Sequence, residues 1–249
     1  MNQKPWNKIA VLGATSDMAI AFCHFVAKHG ISLILIARNK EKLEKIAKDI
    51  NIRYNVSIET VLFDVEKDDP TILVKKISEP IDVFISFVGY LGNQSKAQRD
   101  PKEVGKIIKI NYQMPAIITE LLLEKIKQST SNKRMIVGIS SVAGDRGRQS
   151  NYFYGSAKAA YSAYLSGLRN RLFKEKIHVL TVKPGFVYTS MTQDLNLPPL
   201  LIAQPEEVAK DIYKAMLKQE DVLYTKWFWK YIMLIIKYLP EFLFKRLSL

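Results

Sequence analysis

A tyrosine and a lysine four residues apart, in Tyr154-Gly155-Ser156-Ala157-Lys158, share one face of any helix that carries them. An ammonium beside a phenol favours the phenolate and draws its pKa down from about 10 toward neutral pH, so such a tyrosine can exchange a proton with a carbonyl or alcohol oxygen. Ser141 stands thirteen residues ahead of Tyr154, at the carboxyl end of an apolar run, where its hydroxyl can bond the same oxygen. A lone Tyr-x-x-x-Lys is commonplace. It gains meaning here from the serine at this spacing, from an upstream turn suited to phosphate and from Asn111 opening Asn111-Tyr112.

That upstream turn is Gly13-Ala14-Thr15-Ser16-Asp17-Met18-Ala19, which follows an apolar strand-like run and opens a helix. A pyrophosphate would sit there on free backbone N–H groups and the positive end of the helix dipole. A full glycine fingerprint would carry glycine in place of Asp17 and Ala19. The competing reading is therefore an ordinary strand-to-helix turn with Asp17 as N-cap.

Short strand-like runs alternate with helix-length periodic segments, the pattern of repeated βαβ units packed as a parallel sheet. Strands are expected at residues 9–12, 33–37, 58–63, 83–87, 135–140 and 179–182, with a weaker seventh at 222–224. Helices are expected at about 18–29, 40–50, 71–77, 104–127, 154–173 and 205–217. Several strands are apolar on both faces, as they must be when helices cover both sides of a sheet. With no internal repeat and no Gly/Ser linker, residues 1–225 read as one α/β domain of the doubly wound Rossmann type with a parallel sheet of about seven strands. Residues 195–205, with Pro198, Pro199 and Pro205, read as an irregular loop where such folds keep a substrate lid.

The 249 residues include 37 Lys plus Arg against 24 Asp plus Glu, a net charge of +13, and 48% are hydrophobic. A chain of this size builds a core without disulfides or metal. Cys23 stands alone, and His24, His29 and His178 are scattered without Cys-x-x-Cys neighbours, so no metal site is expected. No apolar run reaches the ~20 residues of a membrane-spanning helix. Lys4 and Lys8 precede an apolar run that is too short for a signal peptide and ends at Gly13, which implies a cytoplasmic protein. The charge admits nucleotide phosphates, lipid headgroups or nucleic acid. The basic residues are dispersed and no groove-reading motif accompanies them, so nucleic acid is not expected as a partner.

In these motifs the chain resembles the short-chain dehydrogenase/reductase family over residues 7–225. The resemblance implies an NAD(P)H-dependent oxidoreductase. In it Tyr154 is the general acid for carbonyl reduction, Lys158 holds the nicotinamide ribose and tunes Tyr154, Ser141 orients the carbonyl, and Asn111 supports a water-mediated proton path. It further implies cofactor contacts from Gly13, Thr15, Ser16, Asp17 and Met18, from Asp64-Val65 at the adenine, from Gly89, and from Pro184-Gly185 with Val187 and Thr189 beside the nicotinamide. Two departures stand out. The family's Asn-Asn-Ala-Gly is Ser86-Phe87-Val88-Gly89 here, and only Gly13 survives of the glycine triplet.

Other features are similar to those of decaprenylphosphoryl 2-keto-pentose reductases: Thr15-Ser16 before an acid, Tyr90-Leu91-Gly92, the run from Ser140 to Arg146, Ser150-Asn151, and Leu239-Pro240 with Phe244-Lys245-Arg246-Leu247. This resemblance implies a keto sugar on a polyprenyl phosphate as substrate and a flavin oxidase as partner. The residues leave open a reductase of another hydrophobic carbonyl, such as a long-chain ketone or a sterol-like compound. They also leave open a nucleotide-binding subunit without catalysis, which the degraded glycine turn suggests and the retained Ser141, Tyr154 and Lys158 oppose.

At the end of the second strand no acid is present to accept from a ribose 2′-OH, and Arg38 could pair with a 2′-phosphate, which favours NADP with NAD as the alternative. A solvated arginine at a helix start is the plainer reading. Arg146 and Arg148, between Ser141 and Tyr154, suit a phosphate head on the substrate, or are surface arginines or a subunit contact. Residues 226–249 form a separate tail. Lys226, Lys230 and Lys237 gather on one side of a helix whose other side is aromatic and aliphatic. Such a helix suits an acidic bilayer surface, and hence a peripheral position on the inner face of the cell membrane. It could equally close the active site or pack in a homo-oligomer.

Overall fold

The computed structural model describes residues 4–190 and 199–247. Seven parallel strands form the sheet: β1 (Lys8–Leu12), β2 (Ser32–Ala37), β3 (Ile58–Leu62), β4 (Val83–Ser86), β5 (Arg134–Ile139), β6 (Ile177–Pro184) and β9 (Val222–Thr225). Their order is β3-β2-β1-β4-β5-β6-β9. The chain winds outward from β1 in one direction, returns, and winds outward from β4 in the other. The switch point between β1 and β4 opens a crevice at the carboxyl ends of the strands.

Alternation along β1 shows how both faces are filled. Ile9 and Val11 point to one side, where they join Phe22 and Val26 of α1 (Asp17–Ala27), Leu43 and Ile50 of α2 (Lys40–Tyr54), and Val208 and Ile212 of α8 (Pro205–Lys218). Ala10 and Leu12 point to the other, toward Leu73 of α3 (Pro70–Lys76), Ile118 and Leu122 of α6 (Met114–Lys127), and Tyr161 and Leu165 of α7 (Tyr152–Leu172). The continuous apolar strands are thus the physical requirement of a two-sided core.

Two expectations change. The single helix expected at 104–127 is α5 (Pro101–Ile108), a π-helical turn over Lys109–Gln113, and α6. Pro115 has no N–H, so the ladder loses a donor where the extra residue is accommodated. After β4 a short helix unforeseen from the sequence, α4 (Gln94–Ala97), is started by Asn93, whose side chain accepts from the Lys96 amide. The expected loop at 195–205 falls partly outside the described residues. Its described part contains a short turn, Pro199–Leu201, and β8 (Ile202–Ala203), which pairs with β7 (Phe186–Val187).

The tail folds back on the domain. In α9 (Trp229–Tyr238), Trp229 and Met233 are buried against Val142, with Phe186, Leu201 and Tyr224 packed around them. After Pro240 a last turn, α10 (Glu241–Phe244), follows. Among the described residues no helix is long and apolar enough to cross a membrane.

Candidate active site

A cleft of about 290 Å³ lies at the switch point and is lined by Gly13, Thr15, Ser16, Arg38, Val65 and Gly89 together with Phe63, Phe87, Val88 and Tyr90. Gly13 takes a φ of 79°, and a methyl group there would come within 3.1 Å of the Val88 amide. The turn can therefore lie directly against the end of β4. Ser16, not Asp17, is the N-cap of α1, its hydroxyl accepting from the Ala19 amide at 3.4 Å. Asp17 is the first helical residue, followed by Met18. Its carboxylate accepts from the amide and hydroxyl of Ser190 at 2.8 and 3.0 Å. This contact ties the stretch holding Pro184, Gly185, Val187 and Thr189 to the start of α1, and turns the carboxylate away from a phosphate that would use the backbone N–H groups.

Ser141 and Tyr154 meet because two glycines allow the turn after β5 to lie flat on α7. A methyl group at Gly144 would stand 2.8 Å from the Ala159 amide, and one at Gly155 would stand 2.8 Å from the Ala143 carbonyl. Two serines end the strand, and the structure separates their tasks. Ser140 is buried and donates to the Lys158 carbonyl at 2.9 Å, whereas the Ser141 hydroxyl accepts from the Ala143 amide at 3.1 Å and lies close enough to Tyr154 to favour its phenolate.

Burial pushes the Tyr154 pKa up to about 12, opposed by the Ser141 hydroxyl. This reverses the expectation that Lys158 draws it down. The Lys158 Nζ sits 5.8 Å from the Tyr154 ring centroid and spends its donors on the carbonyls of Ile139, at 3.0 Å, and Val88, at 3.4 Å. Lys158 is 2% exposed and has no acidic partner, and burial lowers its pKa to about 7. In this state Tyr154 keeps its proton at neutral pH, which suits a donor.

Asn111 is fully buried in the π-helical turn. It accepts from the Tyr90 amide at 3.1 Å and donates to the carbonyls of Tyr90 and Ile107 at 2.7 and 2.9 Å. It thereby fixes the loop that forms the cleft wall. Buried Glu103 holds the same loop through the Tyr90 hydroxyl and the Asn93 amide.

Other candidates are engaged differently from expectation. Asp64 accepts from the Glu66 amide at 2.9 Å, and it is its neighbour Val65 that reaches the cleft. Arg146, read from the sequence as a phosphate ligand, a surface arginine or a subunit contact, is turned to the tail: it donates to the carbonyls of Ile236 and Leu239, pairs with Glu241 at 2.7 Å and stacks on Phe244. The reason is the carboxyl end of α9, whose last carbonyls lack helical donors and attract a cation. Arg148 touches Met233 Sδ at 3.6 Å and keeps a buried Nε without a partner.

Sequence reasoning missed Lys106, which lines the cleft and shares Glu66 with Arg38, at 3.1 and 3.9 Å. Helical register placed it on α5, but the α5 break hid which way it faced. It also missed Trp229. A methyl group at Gly185 would collide with its indole Nε1, so the glycine beside the expected nicotinamide site is required by the tail.

A doubly wound sheet with a phosphate-ready turn at its switch point, and a Ser–Tyr pair with a buried lysine beside it, defines a dinucleotide-dependent oxidoreductase. The chain matches the short chain dehydrogenase family over residues 7–199 and belongs to it. It is 28% identical over 243 residues to an uncharacterized oxidoreductase of Mycobacterium tuberculosis, covering 96% of each chain. Its fold superposes on a short-chain dehydrogenase from Sphingobium yanoikuyae in complex with NADPH, with a TM-score of 0.81, 21% identity, and 89% and 88% of the two chains covered. A short-chain dehydrogenase from Burkholderia cenocepacia in complex with NADP gives 0.82 at 18% identity, with 99% of each chain covered.

Proposed function

We propose that the protein is an NADPH-dependent reductase of a ketone, and that the ketone is a keto sugar carried on a polyprenyl phosphate at a membrane surface. The observation that carries the reductase reading is the protonated Tyr154, close to the Ser141 hydroxyl and one helical turn from a lysine that reaches the cleft wall at Val88. The cleft suits a dinucleotide: the start of α1 offers backbone donors beside Gly13, and Lys158 is a buried cation with carbonyls but no acid around it. Reduced nicotinamide dinucleotide, when bound, supplies the hydride. Tyr154 would give its proton to the ketone oxygen, Ser141 would orient that oxygen, and an ammonium at Lys158 would stabilise the phenolate left behind until a proton from solvent restores the phenol.

Arg38 and Lys106 place two cations at one end of the cleft against one carboxylate, Glu66, which supports a 2′-phosphate there. Arg38→Asp is expected to reverse the ratio of kcat/KM for NADPH over NADH, because it removes a phosphate partner and adds a repelling charge. Steady-state kinetics with both cofactors check this. A wild-type preference for NADH would sink the assignment before the variant is made.

For the lipid-linked substrate the support is the outer face of the tail. Trp227, Tyr231, Ile235, Tyr238 and Phe242 are all more than half exposed, and Lys226, Lys230, Lys237, Lys245 and Arg246 lie among them. Such a face suits the interface of an anionic bilayer. Two like surfaces of a homo-oligomer would set these cations against one another. Arg148, with its unpartnered Nε, is the remaining cation for the substrate phosphate. Oxidation of the sugar alcohol must supply the ketone, which is the role of a flavin oxidase partner.

The deciding experiment supplies polyprenyl-phosphate keto-pentose in anionic vesicles and NADPH, and follows both cofactor oxidation and sedimentation of the protein. Turnover with protein in the pellet, both weakened by salt, is expected. Turnover only of a long-chain ketone would move the reading to another hydrophobic carbonyl. Protein that stays in the supernatant would remove the membrane from it.

A further inference from the structure

The stretch between the two proton-handling residues is gripped from both sides. On its inner side Ser141 opens a short helical turn, Val142–Gly144, that lies against α7. Asp145, next in line, pairs with Lys183 and accepts from the Tyr224 hydroxyl at 2.8 Å, anchoring the turn to the ends of β6 and β9. On the outer side the tail closes over it. Val142 packs on Trp229 and Met233, and Arg146 closes on the carboxyl end of α9.

α9 stops at Leu239 in an extended conformation with no cap of its own. Arg146 supplies that cap. Its guanidinium donates to the carbonyls of Ile236, at 2.7 Å, and Leu239, pairs with Glu241 and lies 3.8 Å from the centre of the Phe244 ring. Although it is only five residues from Ser141, its contacts reach about ninety residues along the chain. A planar fork that bonds carbonyls, pairs with a carboxylate and stacks on a ring cannot be replaced by a lysine without loss.

We propose that Arg146 is a positioning residue for reduction: by clamping the tail onto the turn that begins at Ser141, it holds the Ser141 hydroxyl where it can bond the oxygen that Tyr154 protonates. The tail is then the outer wall of the active site and not an appendage. The inference rests on the reductase reading of Ser141 and Tyr154, and it names the part of the chain that keeps them aligned. A displacement of the order of 1 Å at a positioned group can cost about a hundredfold in rate, so loss of this clamp is large enough to read kinetically.

The test compares Arg146→Met, Arg146→Lys, Ser141→Ala and the double variant Ser141→Ala/Arg146→Met, with phenanthrenequinone as a diffusible carbonyl probe and NADPH as reductant. Arg146→Met is expected to lower kcat by about tenfold or more while the Kd for NADPH changes less than twofold, and Arg146→Lys to fall between it and the wild type. The Ser141 hydroxyl favours the Tyr154 phenolate, so displacing it should move the alkaline limb of the kcat profile to higher pH in Arg146→Met, as its removal should in Ser141→Ala. A general loss of structure would not move that limb. Because both substitutions act through one hydroxyl, the double variant should be no slower than Ser141→Ala alone.

Opening of the clamp is read separately, as faster trypsin cleavage at Lys230 and greater quenching of Trp229 fluorescence. An opened tail with unchanged kcat would overturn the proposal. So would a double variant whose loss is the product of the two single losses, or full kcat in Arg146→Lys. Wild-type protein that reduces no carbonyl with NADPH would instead overturn the reductase reading itself, and the clamp with it.

Discussion

Tyr154→Phe should abolish ketone reduction, lowering kcat by at least about a thousandfold, while NADPH binding measured by fluorescence stays within about twofold of wild type. The phenol holds a transferable proton at neutral pH, since burial keeps its pKa at about 12 despite the nearby Ser141 hydroxyl. Removing one oxygen leaves the ring in place, packed beside Ala97, Ile107 and Ala157, so the change is chemical and not architectural. The cleft loses nothing, because its walls are built from other residues. Residual turnover within tenfold of wild type would show that another acid serves the carbonyl and would dismantle the assignment.

The sheet was legible because its physical cause is written locally. Each strand in the two-sided core needs an unbroken apolar run, and each helix needs one apolar stripe, so β1, β2, β5 and α7 lie within two or three residues of where periodicity places them. The break in the expected 104–127 helix was less legible. Pro115 near its middle could have been read as a kink, but nothing local shows that the turn buries Asn111 and bonds it to Tyr90, a contact across the fold.

At the site, the spacing of Ser141, Tyr154 and Lys158 told which residues meet but misjudged the electrostatics. Adjacency on a helix face says nothing of the carbonyls of Ile139 and Val88 that take the lysine, nor of the burial that outweighs it at the tyrosine. The sequence leaves the role of Arg146 open for a similar reason. A cation in a loop beside Ser141 could serve a substrate, the solvent or another subunit, and only the returning tail shows the uncapped helix end that claims it. The sequence placed Lys106 on a helix and Trp229 in an apolar tail but could not give their contacts, which are with Glu66 and Gly185, residues distant in the chain.

Lys158→Met should produce the opposite signs in activity and stability. Reduction should fall below detection and NADPH should bind more weakly, because the buried ammonium is lost from beside the cleft wall. The cofactor-free protein should nevertheless become more stable at neutral pH. Lys158 is 2% exposed and faces carbonyls without an acid, and its pKa falls from 10.5 to about 7 on folding. The folded state therefore binds fewer protons than the unfolded one between about pH 7 and 10.5, and this lysine makes stability rise with pH across that window.

Its cost is fully present below about pH 7 and vanishes as the unfolded lysine also loses its proton. Methionine of similar length removes that cost, worth roughly a few kcal/mol, while leaving the carbonyls of Ile139 and Val88 short of a donor, which returns about 1–3 kcal/mol. A net gain of about 1–2 kcal/mol corresponds to a Tm higher by roughly 2–8 °C in a chain of this size. The gain should be largest at pH 7 and below and shrink toward pH 10. Thermal melts of both proteins at pH 6, 7.5 and 9.5, without cofactor, decide it. A variant that melts lower than wild type at every pH would mean that the lysine's hydrogen bonds outweigh its desolvation, and that stability is not what the fold gives up to keep a cation at this site.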